Sequence, residues 1–319
     1  MRAFGYQRPN TFAEAAHLLG DTDALPIGGG TDLLVSIDEG LASPRVVVDL
    51  RGIDGNDAIA EATGSLRIGG AVRVDQLARD GRVRDRFPAL ARACEAVGSP
   101  ALRNMGTIAG NLCQRPRCWY LRRGIPCLKN GGTACPARTG ENQYHAILDG
   151  DPCFIVHPSD VAVALTALDA ELELLSRDGS RTVKLADFYV LPRERMDQET
   201  VLQPGEVVRA VLVPDTFSRG PQVFRKLIQR GAWDFALVSI AAARRRDGAV
   251  RIVLGGVAPR PWRVPQSIEE DVASGGLDED SITALAERAL YDAEPLSKNG
   301  YKLALAASLL RDAMRELGA

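Results

Sequence analysis

Six cysteines stand in this chain, and five of them fall close together, spaced Cys113-x4-Cys118-x8-Cys127-x7-Cys135-x17-Cys153, with Cys94 apart. Clustered thiols can pair as disulfides, bind metal, or be buried without further role. The first twenty residues contain no apolar leader segment, so a secreted disulfide framework is not expected. Structural zinc sites usually contain a close Cys-x2–4-Cys pair, and none follows Cys118. Iron–sulfur ligation asks only that four thiolates converge in space. Two readings therefore stand: a cluster held by widely spaced cysteines, or scattered buried thiols. From Arg115 to Gly150 the chain is rich in Arg, Pro, Gly and Asn, with no helical or strand period. A structureless stretch of about 35 residues in a compact protein needs a cause, and a cluster stapling it is one. Arg115, Arg117, Arg122, Arg123, Lys129 and Arg138 would favour thiolates there.

Two other segments suit phosphate. Gly28-Gly29-Gly30-Thr31-Asp32 follows an apolar strand and opens a short helix, so its amides could approach a pyrophosphate. It is neither a G-x-G-x-x-G fingerprint nor a Walker A loop, and a plain tight turn fits it equally well. Arg103 to Leu112 repeats the mixture of small residues, hydroxyls and amides about 75 residues later; its bland reading is a loop at a domain junction. Together the two suggest one dinucleotide gripped from two sides. Asp160 reads as a helix N-cap or as an acceptor for a ligand hydroxyl or ring N–H. Lys226 reads as a solvated edge charge or as a cation facing a flavin ring. His145 and His157 lack triad or zinc spacing and read as structural, and Arg244-Arg245-Arg246 reads as a solvated strand end.

The elements that must position these residues can be placed by pattern. Thr11 and Glu14 form a capping box before a helix, and Leu25–Ile27, Arg45–Leu50 and Leu66–Ile68 read as strands. Arg84–Val97 carries one helical pattern, and Val161–Leu168 another behind Pro158-Ser159-Asp160. Glu171–Ser176 and Thr182–Leu185 form a hairpin about Asp178-Gly179; Phe235–Arg245 and Val250–Val257 form a second about Asp247-Gly248. A strand is expected at Val207–Val213, a domain boundary at Pro214-Asp215, and three helices beyond Pro265. Strands and helices mix without strict βαβ alternation, so the class is α+β. The 319 residues have a net charge of −2, which argues against nucleic acid or an anionic membrane as partner. No apolar run approaches the roughly 18 residues of a spanning helix.

The segments IGGGTDLL (27–34), LRNMGTIAGNLCQR (102–115), HPSDVAVALTALDAEL (157–172), FRKLIQRGAWDFALVSIA (224–241) and GGVAPRPWR (255–263) together resemble the FAD-binding medium subunit of the xanthine dehydrogenase family of molybdenum hydroxylases. The likeness runs nearly the whole chain. It is strongest to the subgroup with an extra [4Fe–4S] cluster, found in flavin subunits of bacterial aldehyde oxidoreductases. That resemblance implies cluster ligands at Cys118, Cys127, Cys135 and Cys153, with Cys113 a non-ligand and Cys94 in the core. It implies a pyrophosphate wrapped by the amides of Pro26, Ile27, Gly28, Gly29, Gly30, Thr31, Asp32 and Leu33, and a second phosphate loop at Thr107, Gly110 and Asn111. Asp160 and Lys226 would lie toward the flavin end, and no side chain is needed as an acid–base catalyst. Two departures are Ala109, where a Gly-Gly pair is usual, and Ala232-Trp233-Asp234, where a Ser-Tyr or Ala-Tyr type run is more common.

The implied fold is a two-subdomain flavin-binding architecture of the vanillyl-alcohol-oxidase/PCMH-like type. It would occupy residues 1–215 (subdomains about 1–52 and 53–215, with the Fe–S loop at 113–153), followed by an α+β domain at 216–319 with a small antiparallel sheet and helices. The implied function is electron transfer. Substrate is oxidised at molybdenum in a large molybdopterin-binding subunit, and electrons pass through a small [2Fe–2S] subunit to FAD here and on to an external acceptor. Aldehydes lead as substrates, with xanthine or N-heterocycles and aromatic thioesters of coenzyme A as alternatives. A non-catalytic flavin or Fe–S docking scaffold and a zinc module are the rivals from other classes. The expected compartment is the cytoplasm, or the periplasm by co-export with a signal-bearing partner.

Overall fold

The computed structural model describes residues 3–20, 23–231 and 233–318. Three sheets organise it. The first is parallel, with β1 (Gly5–Gln7), β2 (Ala24–Ile27) and β3 (Val46–Asp49) in the order β1-β3-β2. Helices Phe12–Leu19 and Leu33–Asp38 make the crossovers, so these fifty residues do alternate strand and helix. Thr11 caps the first helix, its hydroxyl accepting from Glu14 N–H at 3.2 Å, while the Glu14 carboxylate reaches one residue beyond the usual capping-box partner and accepts from Asn10 N–H at 2.8 Å.

The second sheet is antiparallel: β4 (Ile59–Ala62), β5 (Ser65–Gly69), β6 (Glu171–Ser176), β7 (Gly179–Lys184) and β8 (Val207–Pro214), ordered β4-β5-β8-β6-β7. In the β6–β7 hairpin Ser176 pairs with Gly179, so the turn is Arg177-Asp178, one residue earlier than its Asp-Gly signal. Helices Pro88–Glu95 and Asp160–Ala167 cover this sheet around the largest apolar core. The single helix expected over Arg84–Val97 is two, Gly81–Arg86 and Pro88–Glu95. Pro88 lacks an N–H and disfavours helical geometry at the residue before it, and Phe87 sits at φ −133°, ψ 59°.

The third sheet is also antiparallel: β9 (Gln222–Leu227), β10 (Val238–Arg244), β11 (Val250–Gly255) and β12 (Trp262–Arg263), ordered β12-β11-β10-β9. β10 has no polar face. Ala241 and Ala243 join the core shared with helix Asp160–Ala167, and Ile240 and Ala242 face the helices Gln266–Ser274, Glu279–Ala289 and Tyr301–Glu316. The two-residue period of a strand explains why one strand serves two cores. It also fixes Lys226 and Ser239, which pair across β9 and β10, on one face. No helix among the described residues is long and apolar enough to cross a membrane.

Candidate functional site

The two glycine-bearing loops meet. A Cβ on Gly28 would stand 2.3 Å from Thr107 Oγ1, and one on Gly29 would stand 1.8 Å from the Met105 carbonyl oxygen. Backbone lies against backbone here, which only glycine permits. The parallel sheet holds the first loop at the end of β2. The second loop runs between helices Pro100–Met105 and Ile108–Leu112. Thr107 caps the latter, its hydroxyl accepting from Gly110 N–H at 3.2 Å. Ala109 has helical geometry and needs no glycine.

Beside this junction lie two adjoining cavities. The smaller, about 250 Å³, is lined by Thr31, Gly110, Asn111, Asp160 and Lys226 among others. The larger, about 660 Å³, lies between the cysteine-bearing loop and the β9–β10 connection, and its walls include Trp119, His145, His157, Ser239 and Phe235. Arg117, Pro158, Asp160, Arg230, Asp234 and Phe235 line both. Arg117 lies over the Phe235 ring, 5.2 Å from its centroid. Several buried polar atoms on these walls have no protein partner: Arg117 Nε, His157 Nε2 and Ser239 Oγ. Orphaned groups of this kind in a cavity are what a polar, planar ligand satisfies.

Asp160 is not the helix cap. Ser159 is, its hydroxyl accepting from Ala162 N–H at 2.9 Å and donating to Asn111 Oδ1 at 2.5 Å. Asp160, one residue on, is freed to pair with Lys226: Nζ to Oδ2 is 2.7 Å, with side chains 7% and 6% exposed. Lys226 also donates to the Ala96 carbonyl at 2.9 Å. It is therefore a buried ion-pair member on an edge strand, not a solvated charge. Burial raises the Asp160 carboxyl above its ordinary range, and Lys226 opposes that rise. Replacing Ser159 with alanine removes a buried cap, and a loss of about 1–2 kcal/mol in thermal or urea unfolding is expected.

Cys118, Cys127, Cys135 and Cys153 all line one small, apolar-walled cavity, together with His145 and Lys129. Cys118 feels the charges of Cys135 and Cys127, and the neighbouring Cys153 with nearby backbone N–H groups lowers the Cys135 thiol. Cys113 and Cys94 are elsewhere, in or against the apolar core. Burial pushes the Cys113 thiol up to about 12 and raises Cys94 as well. Among the described residues no three or more His, Cys, Asp or Glu are gathered tightly enough to hold a single metal ion. Five of the surrounding cations are engaged in ion pairs, although Lys129 still acts to lower the Cys153 thiol. Arg115 and Lys129 pair with Glu199, Arg117 and Arg122 with Asp32, and Arg138 with Asp151. Their role is to staple the loop to the first sheet's loop and to the segment near Glu199. The Asp32 side chain is thereby occupied, and it also accepts from Arg115 N–H at 2.9 Å.

The structure thus brings Thr31, Gly110, Asn111, Asp160 and Lys226 to one cavity wall, Gly28 against Thr107 and Gly29 against Met105 and Gly106. Pro26 and Ile27 remain in β2, Asp32 and Leu33 open the following helix, and none of these four lines either cavity. Ala232 lies outside the described residues; its neighbour Trp233 is 64% exposed at φ 54° on the rim of the smaller cavity. Sequence reasoning missed Ser239 and Phe235 because nothing in their spacing separates them from ordinary strand and loop residues. It also missed Lys302. This lysine, 0% exposed, donates to the carbonyls of Tyr144, His145 and Gly256 at 3.1, 3.0 and 2.7 Å, and burial lowers its ammonium to about 7. Burial lowers His157 to about 3, and burial with Lys302 lowers His145 to about 4, so both imidazoles are neutral near pH 7.

Comparison with known proteins shows the family. Residues 2–216 match the family described as the FAD binding domain in molybdopterin dehydrogenase, and residues 222–317 match the CO dehydrogenase flavoprotein C-terminal domain. The aldehyde oxidoreductase FAD-binding subunit PaoB of Escherichia coli (strain K12) is 37% identical, covering 99% of this chain and 98% of that one. The glyceraldehyde dehydrogenase medium chain of Sulfolobus acidocaldarius is 26% identical over 92% of this chain and 89% of its own. In fold, carbon monoxide dehydrogenase from Hydrogenophaga pseudoflava superposes with a TM-score of 0.77 at 24% identity, covering 99% and 97% of the two chains. With its paired glycine loops, its antiparallel C-terminal sheet backed by helices and these matches along its length, the chain belongs to the family of FAD-binding medium subunits of molybdenum hydroxylases, and is an oxidoreductase component.

Proposed function

We propose that this chain carries FAD across the two adjoining cavities and a [4Fe–4S] cluster on Cys118, Cys127, Cys135 and Cys153. In this reading it is the electron-transfer subunit of a heteromeric molybdenum-containing aldehyde oxidoreductase, made of a flavin domain at about 1–215 and an α+β domain at 216–319. The observation that carries the reading is the convergence of four cysteines, with up to 17 residues between successive ones, on one cavity that adjoins the larger cavity.

The donor residues present suit both groups in kind. For FAD, Thr31 and the Gly106, Gly110 and Asn111 positions line the smaller cavity, which a pyrophosphate suits, and His157, Ser239 and Arg117 offer unpaired polar atoms to a ring. For the cluster, the donor set is four thiols with no carboxylate on the wall. Bound FAD exchanges electrons in ones or twos and the cluster in ones, which suits a relay. The chain's own contribution is to hold both groups, exclude water from the thiols and keep Lys226 and Asp160 fixed at the cavity wall. The names of two relatives, an aldehyde oxidoreductase subunit and a glyceraldehyde dehydrogenase chain, favour aldehydes over N-heterocycles. The partners are a large molybdopterin subunit, a small [2Fe–2S] subunit and an external electron acceptor.

The test begins with the anaerobically purified chain. It is expected to contain iron, labile sulfide and FAD, and Cys127→Ser or Cys135→Ser is expected to lose the iron while retaining FAD. Assembled with molybdopterin and [2Fe–2S] subunits, it should show flavin bleaching on anaerobic addition of an aromatic aldehyde. Flavin that stays oxidised while aldehyde is consumed would remove the electron-exit role.

A further inference from the structure

Two residues line both the thiol cavity and the large cavity: Cys118 and His145. The His145 Nε2 lies 3.4 Å from Cys118 Sγ, within hydrogen-bond reach of sulfur. We propose that His145 donates an Nε2–H hydrogen bond to the Cys118 sulfur and so raises the reduction potential of the cluster at the wall it shares with the flavin cavity. This rests on the [4Fe–4S] reading and adds a positioning residue to it.

The direction of the bond follows from chemistry. A ligating thiolate has no proton to give, so it accepts, and the imidazole hydrogen facing it must sit on Nε2. The opposite tautomer would set a ring lone pair against the thiolate sulfur. The ring cannot turn freely. Its backbone N–H donates to the Asn142 carbonyl at 3.0 Å, and its own carbonyl accepts from Lys302 Nζ at 3.0 Å and Asn299 Nδ2 at 3.1 Å. Trp119 packs edge-on to the ring at 5.7 Å between centroids, and Tyr120 lies at 6.0 Å. The start of helix Tyr301–Glu316 therefore aims this imidazole, although it lies more than 150 residues from the thiol it serves.

Hydrogen bonds to cluster sulfurs stabilise the reduced, more negative state. The other donors to Cys118, the backbone N–H groups of Tyr120 and Leu121, are local to the ligand and stay in place when residue 145 changes. His145→Phe keeps a ring and removes the donor. In an EPR-monitored redox titration of the full chain it is expected to lower the cluster midpoint by about tenfold in the reduced-to-oxidised ratio, or about 59 mV for one electron. His145→Gln restores an N–H near the same place and is expected to recover most of that shift. Iron and FAD content should match wild type in both. A measurement on the unaltered chain stands beside the variants: with 15N-labelled histidine, pulsed EPR of the reduced cluster should show a weakly coupled imidazole nitrogen. An unchanged midpoint in an iron-replete His145→Phe chain, or no nitrogen coupling in the labelled wild type, overturns the proposal. A wild-type chain without iron overturns the cluster reading itself, a different and separately visible failure.

Discussion

Replacing Gly29 with alanine is expected to separate the two phosphate-facing loops and to weaken FAD binding by roughly tenfold to a hundredfold, while most of the chain stays folded. The added Cβ would lie 1.8 Å from the Met105 carbonyl oxygen and 2.9 Å from Gly106 N. Both obstacles are backbone, so no rotamer change relieves the overlap, and one loop must move. Overpacking of this kind costs about 1–3 kcal/mol, and here it falls on the junction beside Gly106, which lines the smaller cavity. Flavin-fluorescence titration of the apo chain measures the loss. Gly64→Ala is the control. Gly64 sits at φ +70° with open space around its α-carbon, so alanine there costs only the left-handed strain of about 1–2 kcal/mol and leaves flavin affinity unchanged. Equal flavin affinity in Gly29→Ala and wild type would show that the junction plays no part in cofactor binding.

Lys226→Met is expected to destabilise the protein by about 3–5 kcal/mol at neutral pH, because it leaves Asp160 as a buried charge without its partner. The double variant Lys226→Met/Asp160→Asn should recover most of that loss, since two neutral groups carry no such penalty. The pH dependence has a definite sign. Burial already raises the Asp160 carboxyl above its unfolded value, and removing Lys226, which opposes that rise, raises it further. The folded state of the single variant therefore binds a proton that the unfolded state has released. Its stability is fullest below the ordinary carboxyl range and falls as pH rises through the elevated folded value. Denaturant melts of wild type and variant should thus converge near pH 4 and diverge toward pH 7. A gap independent of pH would mean that Lys226 acts by packing its methylenes, not by its charge.

Local chemistry was readable from the amino acids wherever neighbours in the chain make the structure. The Thr11–Glu14 box, the β2 and β3 strands, the β10–β11 hairpin and the three C-terminal helices stand close to where periodicity and turn residues put them. Local reading failed where two adjacent candidates compete. Ser159 and Asp160 can each cap a helix, and the choice went to Ser159 because Lys226, from a strand 66 residues away, takes the carboxylate. In the same way, one helical pattern over Arg84–Val97 broke at Pro88, whose ring geometry outweighs the apolar spacing.

The residue types needed for the chemistry, thiols, glycines and one lysine–aspartate pair, are thus a property of the chain itself, and their spacing with the family motifs was enough to indicate a flavin subunit. The folded molecule alone decided which of them meet. Four of six cysteines share a cavity, five basic residues are absorbed into ion pairs, and a histidine aimed by the last helix stands between that cavity and the next. The physical reason is separation. Helix and strand signals arise from bonds a few residues apart, whereas burial, ion pairing and cavity walls depend on segments far apart in the chain, whose approach only the packed cores determine.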